Sequence, residues 1–117
     1  MYKMSEKPTV LVVCGRNKRR SRTAEYIFKN DMRFSIRSAG LSPKSDRQLS
    51  EKDITWADII LVMERSQKAR IVATYRHIHL PTIEVLHIAD VYDYLDSELI
   101  ELLTEKINAA LHVAFSL

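Results

Sequence analysis

Cys14 is the only cysteine in the chain, and it ends an apolar, β-branched run, Pro8-Thr9-Val10-Leu11-Val12-Val13, that reads as a buried parallel strand. The residues after it, Gly15-Arg16-Asn17-Lys18-Arg19-Arg20-Ser21, form a loop leading into a helical pattern in which Ala24, Ile27 and Phe28 recur at three- and four-residue spacing. A loop of this kind, at the carboxyl end of a strand and the amino end of a helix, points backbone N–H groups and the positive end of the helix dipole at one place. That place attracts an anion. Arg20, six residues beyond Cys14, is set to grip two phosphate oxygens with its planar fork, and the same field favours the thiolate, the nucleophilic form of cysteine. Ser21 follows with a hydroxyl that can donate to the thiolate or cap the first helical turn. The chemistry open to this segment is that of a nucleophilic thiolate beside a bound phosphate, with Gly15, Arg16, Asn17, Lys18, Arg19, Arg20 and Ser21 as the phosphate-binding residues.

The elements that must position this loop are readable from periodicity. Phe34 and Ile36 alternate with polar neighbours as in a half-exposed strand near a sheet edge, closed by Ser38-Ala39-Gly40. Ser50-Glu51-Lys52-Asp53 resembles a capped helix start running to Trp56, and Asp58-Ile59-Ile60-Leu61-Val62-Met63 is a second buried strand. Residues 65 to 75 read as a helix carrying Ala69, Ile71, Val72 and Tyr75, and residues 81 to 86 as a fourth strand. Leu99, Leu102, Leu103, Ile107, Ala110, Leu111 and Ala114 make one apolar stripe on a last helix capped by Asp96 or Ser97. Alternating strands and helices imply an α/β domain: a small, mostly parallel four-stranded sheet with helices on both faces, its ligand at the carboxyl ends of the strands.

At 117 residues, the chain is expected to be a single domain over residues 1–117, with residues 1–7 as a flexible N-terminus. Two Gly and three Pro exclude collagenous and low-complexity architectures, and one cysteine excludes an intramolecular disulfide and every multi-cysteine metal site. His77, His79, His87 and His112 lack a metal-binding spacing, so neither a metal nor another cofactor is expected. No apolar run is long enough for a membrane helix, which makes a cytoplasmic location the default and removes the membrane as a partner. Of the 18 basic residues, five (Arg16, Lys18, Arg19, Arg20 and Arg22) crowd the loop after Cys14. Without them, 13 basic residues face 15 acidic ones, so the positive excess belongs to that loop.

Cys14, Asn17, Arg20 and Ser21, together with Ser38-Ala39-Gly40 and the Asp58–Met63 run, resemble the low-molecular-weight protein tyrosine phosphatase family over nearly the whole chain. The resemblance implies that Cys14 attacks phosphorus to form a cysteinyl-phosphate, that Arg20 and the loop amides hold the equatorial oxygens, that Ser21 stabilises the thiolate, and that Asn17 keeps the loop in shape. It implies an acid ahead of the last helix. Asp90 aligns with it, Val91 standing where the family has proline and Tyr92 as the aromatic; Asp93 is the competing acid. Tyr92, Asp93 and Tyr94 are candidate substrate contacts at the mouth, the two tyrosines equally readable as packing residues.

Three departures bear on substrate. Arg16 stands where many members have glycine, Arg19 replaces a second loop cysteine, and the segment from Gly40 to Asp58 is shorter, which implies a more open site. The basic loop suits a polyanionic phosphorylated substrate, nucleic acid among them. Two alternatives to a protein phosphatase stay open: a phosphate or nucleic-acid binding module with weak or no catalysis, and a phosphatase acting on nucleotides or RNA and DNA ends. Oligomeric state is not written in the sequence.

Overall fold

The computed structural model describes residues 7–117, and the expected flexible N-terminus lies, Lys7 apart, outside the described residues. Along the chain run β1 (Thr9–Cys14), α1 (Arg20–Phe28), β2 (Ser35–Gly40), α2 (Glu51–Trp56), β3 (Ile59–Val62), α3 (Arg65–Thr74), β4 (Thr82–Val85) and α4 (Ser97–Phe115). The four strands form one sheet in the order β2-β1-β3-β4, and every pairing is parallel. This is the α/β architecture expected from the sequence.

The central strands β1 and β3 are apolar throughout because both faces of the sheet are covered. Val10, Val12, Ile59 and Leu61 meet α1 and α4, while Leu11, Val13, Ile60 and Val62 meet α2 and α3. Helix α4 contributes Leu99, Leu103, Ile107 and Leu111, all fully buried at a spacing of four residues. Truncating any of them to alanine would cost about 2–5 kcal/mol. Asp96 caps this helix, its carboxylate accepting from the N–H groups of Glu98 (2.8 Å) and Leu99 (3.3 Å). At α2, the Ser50 N–H donates to Asp53 across 3.2 Å.

One expectation is corrected. Ser21 does not cap α1: it lies inside the first turn, and its hydroxyl turns to Cys14. The helix expected over residues 65 to 75 is α3, in which Ile71 is the fully buried apolar residue and Val72 is 44% exposed. The reason is coverage: α3 crosses only the β3–β4 side of the sheet, and its other faces meet solvent. No described helix is long and apolar enough to cross a membrane.

Candidate active site

Strand β1 delivers Cys14 to its carboxyl end, where pairing with Gly40 of the neighbouring β2 fixes its height. Residues 15–19 then turn back toward the start of α1. The turn needs one left-handed residue, and Asn17 takes it at φ 56°, a region asparagine tolerates better than most side chains. Asn17 is buried, and its amide nitrogen donates to the hydroxyls of Ser38 (3.0 Å) and Ser21 (3.4 Å). Ser38 in turn donates to Glu25 of α1. The Ser21 hydroxyl, which accepts from Asn17, lies 2.9 Å from the sulfur of Cys14 and keeps a proton it can donate to the thiolate. Side chains behind the loop therefore form a hydrogen-bonded chain that ends on the thiol.

Gly40 makes the close approach of this loop to β2 possible. A Cβ there would lie 2.8 Å from the backbone carbonyl carbon of Arg16 and would also collide with Ser45. The loop is fastened to the segment beyond β2, with Leu41 N–H donating to the Cys14 carbonyl (3.0 Å) and Ser42 N–H to that of Gly15 (2.8 Å).

Arg20, the first residue of α1, is buried although charged. Its Nη1 donates to Glu64 (2.8 Å) and to the carbonyl of Ile88 (2.8 Å), which anchors the guanidinium on two other parts of the fold. The Nε and Nη2 edge has no hydrogen-bond partner within the described residues. Asp90 lies 3.6 Å from Nε, an ion-pair distance too long for a hydrogen bond. One edge of the fork is thus used for anchoring, and the other is available to two acceptor oxygens.

A cavity of about 320 Å³ opens over this edge, lined by Cys14, Gly15, Arg16, Lys18, Arg19, Arg20 and Asp90. A Cβ on Gly15 would meet nothing within 4 Å. Arg16, Lys18 and Arg19 are exposed and have no ion-pair partner among the described residues, whereas Arg22 of the same basic run faces Asp46 at 3.4 Å. Asn17 and Ser21 stand behind the loop, not on the cavity wall.

The remaining candidates lie off the wall. Asp93 is exposed, and its carbonyl accepts from the Asp96 N–H at 3.1 Å. Tyr94 meets Tyr26 edge to face at 6.5 Å, and Tyr92 packs against the core on the α4 side. A hydrogen bond to Glu98 pushes the Tyr92 phenol up from its ordinary value. Among the described residues no three His, Cys, Asp or Glu side chains gather to hold a metal ion. Sequence reasoning missed Glu64, Glu25 and the Ile88 carbonyl, and only the Glu64-Arg65-Ser66-Gln67 capping pattern, with Gln67 reaching back to the Glu64 N–H at 3.0 Å, hinted that Glu64 had a fixed place.

No family model and no curated protein matches this sequence. Solved structures do match it. YfkJ from Bacillus subtilis is 20% identical with a TM-score of 0.70, the match covering 97% of this chain and 99% of that one. SP-PTP, a low molecular weight protein tyrosine phosphatase from Streptococcus pyogenes, is 18% identical with a TM-score of 0.71, over 89% and 91% of the two chains. The YwlE arginine phosphatase from Geobacillus stearothermophilus is 20% identical with a TM-score of 0.65, over 92% and 94%. The fold of this chain is that of the low-molecular-weight protein tyrosine phosphatases.

Proposed function

We propose that this protein is a cysteine-dependent phosphomonoester hydrolase that works through a cysteinyl-phosphate. The observation that carries the reading is the arrangement at the cavity floor: a thiol in hydrogen-bond contact with Ser21, below the open edge of a buried, anchored Arg20. The fold shared with phosphatases that act on tyrosine and arginine phosphates supports it.

In the first step the sulfur of Cys14 attacks phosphorus, forming the S–P bond as the P–O bond to the leaving group breaks. Asp90 gives its proton to the departing oxygen. Arg20 and the loop amides hold the equatorial oxygens in place, where fixed donors matter most for phosphoryl transfer. In the second step water attacks phosphorus, the Asp90 carboxylate takes its proton, and the S–P bond breaks to return the thiolate, stabilised by the Ser21 hydroxyl, and inorganic phosphate. The three unpaired cations at the rim favour a substrate with further negative charge. That same rim supports the second reading, in which the carrier is a nucleotide or a nucleic-acid end. The conditions of the reaction suit a reducing, cytoplasmic setting.

Hydrolysis of p-nitrophenyl phosphate in EDTA and fresh reductant tests the reading. Cys14→Ser is expected to lose about three orders of magnitude or more in kcat while still binding inorganic phosphate. Equal turnover by both proteins would remove Cys14 from the chemistry, and phosphate binding without turnover in either would leave a binding module.

A further inference from the structure

A second concave surface lies between α3 and β4. It is a groove of about 620 Å³, floored by Ala69, Val72, Ala73 and Val85 and rimmed by three cations and a histidine. Arg65, Lys68 and Arg76 stand on one side with His87 opposite, and all four are exposed. On the helix the lining positions 65, 68, 69, 72 and 73 fall three or four residues apart, a single stripe that faces away from the core contacts of Gln67 and Ile71. None of the four rim groups has an ion-pair partner within the described residues, although Arg20, Arg22, Arg33, Arg37 and Arg47 each have a carboxylate within 4 Å.

We propose that this groove docks an acidic segment of a partner protein, which places aliphatic side chains on the floor and carboxylates against the rim. Charge complementarity selects an acidic occupant. The floor decides between kinds of polyanion. It is aliphatic throughout, whereas single-stranded nucleic acid is usually held on a series of stacking platforms, and the one ring in the lining, the His87 imidazole, stands at the rim. Leucine or isoleucine side chains fit such a floor.

The groove is also tied to the cavity above Cys14. Arg65 directly follows Glu64, and His87 directly precedes Ile88, the two residues whose oxygens anchor Arg20. His87 has a left-handed backbone, φ 57°, which turns its side chain into the groove while Leu86 and Ile88 on either side stay buried. A segment seated here lies beside both anchors of the phosphate-binding guanidinium. The partner is therefore the phosphorylated protein substrate itself, recognised through sequence near its phosphoryl group; this last step rests on the function proposed above.

Fluorescence anisotropy with a labelled peptide, in which Glu and Asp flank a Leu-Xaa-Xaa-Leu core, reads the docking without any turnover. Binding to the wild type is expected to weaken about tenfold or more in K68E/R76E, and separately in Val72→Asp, whose circular dichroism and melting curves report that the fold persists. Replacing both peptide leucines by serine should weaken binding to the wild type as well. No binding to the wild type at low salt, or equal binding by all three proteins, would overturn the proposal. So would a single-stranded oligonucleotide that outcompetes the peptide and loses affinity in the same variants. Peptide binding by a protein that hydrolyses no phosphate ester would keep the docking site and remove the substrate role alone.

Discussion

The two loops that meet over Cys14 are built differently. Residues 15–19 are fastened from behind: Asn17 bonds to Ser21 and Ser38, the carbonyls of Cys14 and Gly15 accept from Leu41 and Ser42, and Gly40 leaves no gap beneath Arg16. The segment from Leu86 to Asp96 is fastened near its ends, by Leu86 to Val62 of β3, by Ile88 to Met63 just beyond it, and by the Leu95 N–H to Thr23 (3.0 Å). Between these points Asp90 is 56% and Val91 75% exposed. The difference suits the two tasks that the proposed function gives these loops. Oxygens of a phosphoryl group are met best by donors that do not reorganise, while an acid that serves first a leaving group and then a water must reach both. Proline, which would stiffen the second loop, is absent where Val91 stands.

Changes on either side should have different signatures. The largest effect is expected from Asp90→Asn, which leaves the first loop intact. Hydrolysis of alkyl phosphates should fall by about 10²–10⁴-fold, and that of p-nitrophenyl phosphate, whose leaving group needs little help, by much less. Asp93→Asn should leave the ratio of the two rates unchanged, and the reverse pattern in steady-state kinetics would move the acid to Asp93. An intermediate effect is expected from Gly40→Ala, which pushes on the back of the first loop. A methyl group beside the Arg16 carbonyl carbon should cost about 1–3 kcal/mol, seen as a fall of several degrees or more in the melting temperature, with weaker phosphate binding. A melting curve and phosphate affinity unchanged from wild type would mean that the first loop is not held as tightly as its contacts imply.

The smallest effect belongs to a site outside both loops and gives the comparison its baseline. Arg33, hydrogen-bonded to Asp31 at 2.8 Å, holds that carboxyl below the usual carboxylate range. A folded-state pKa below the unfolded one adds stability that is present above the ordinary value and lost as pH falls through the folded one. With Arg33 39% exposed, the contribution should be no more than about 1 kcal/mol. Denaturant unfolding of Asp31→Asn should show this acid-side slope reduced while the activity stays unchanged; a loss of activity would connect a remote ion pair to the site.

Much of this was legible in the sequence, for physical reasons. Buried strands such as Val10–Val13 and Ile59–Val62 announce themselves as apolar runs, and the candidate residues of the Cys14–Ser21 loop stand together in the sequence. What stayed hidden was long-range or backbone in origin. No local pattern says that Glu64 and the carbonyl of Ile88 reach Arg20, because the first is an ordinary helix-start residue and the second a main-chain atom of an apolar one. Ser21 suits a cap by type, yet its hydroxyl is drawn to the thiol instead. How little of α3 is buried was also hidden: its apolar residues are readable, but the narrow sheet beneath covers only Gln67 and Ile71.

The anchoring of Arg20 has a consequence for how the protein becomes competent. Its two anchors are 44 and 68 residues away along the chain, at the β3–α3 junction and beyond β4. Such contacts close only after the loop entropy of the intervening chain has been overcome. An anion that needs this guanidinium in place binds the finished molecule and not its incomplete forms, so its binding free energy adds to that of folding. Inorganic phosphate would therefore behave as a chemical chaperone for this chain, drawing partly assembled molecules toward the native state in proportion to its concentration.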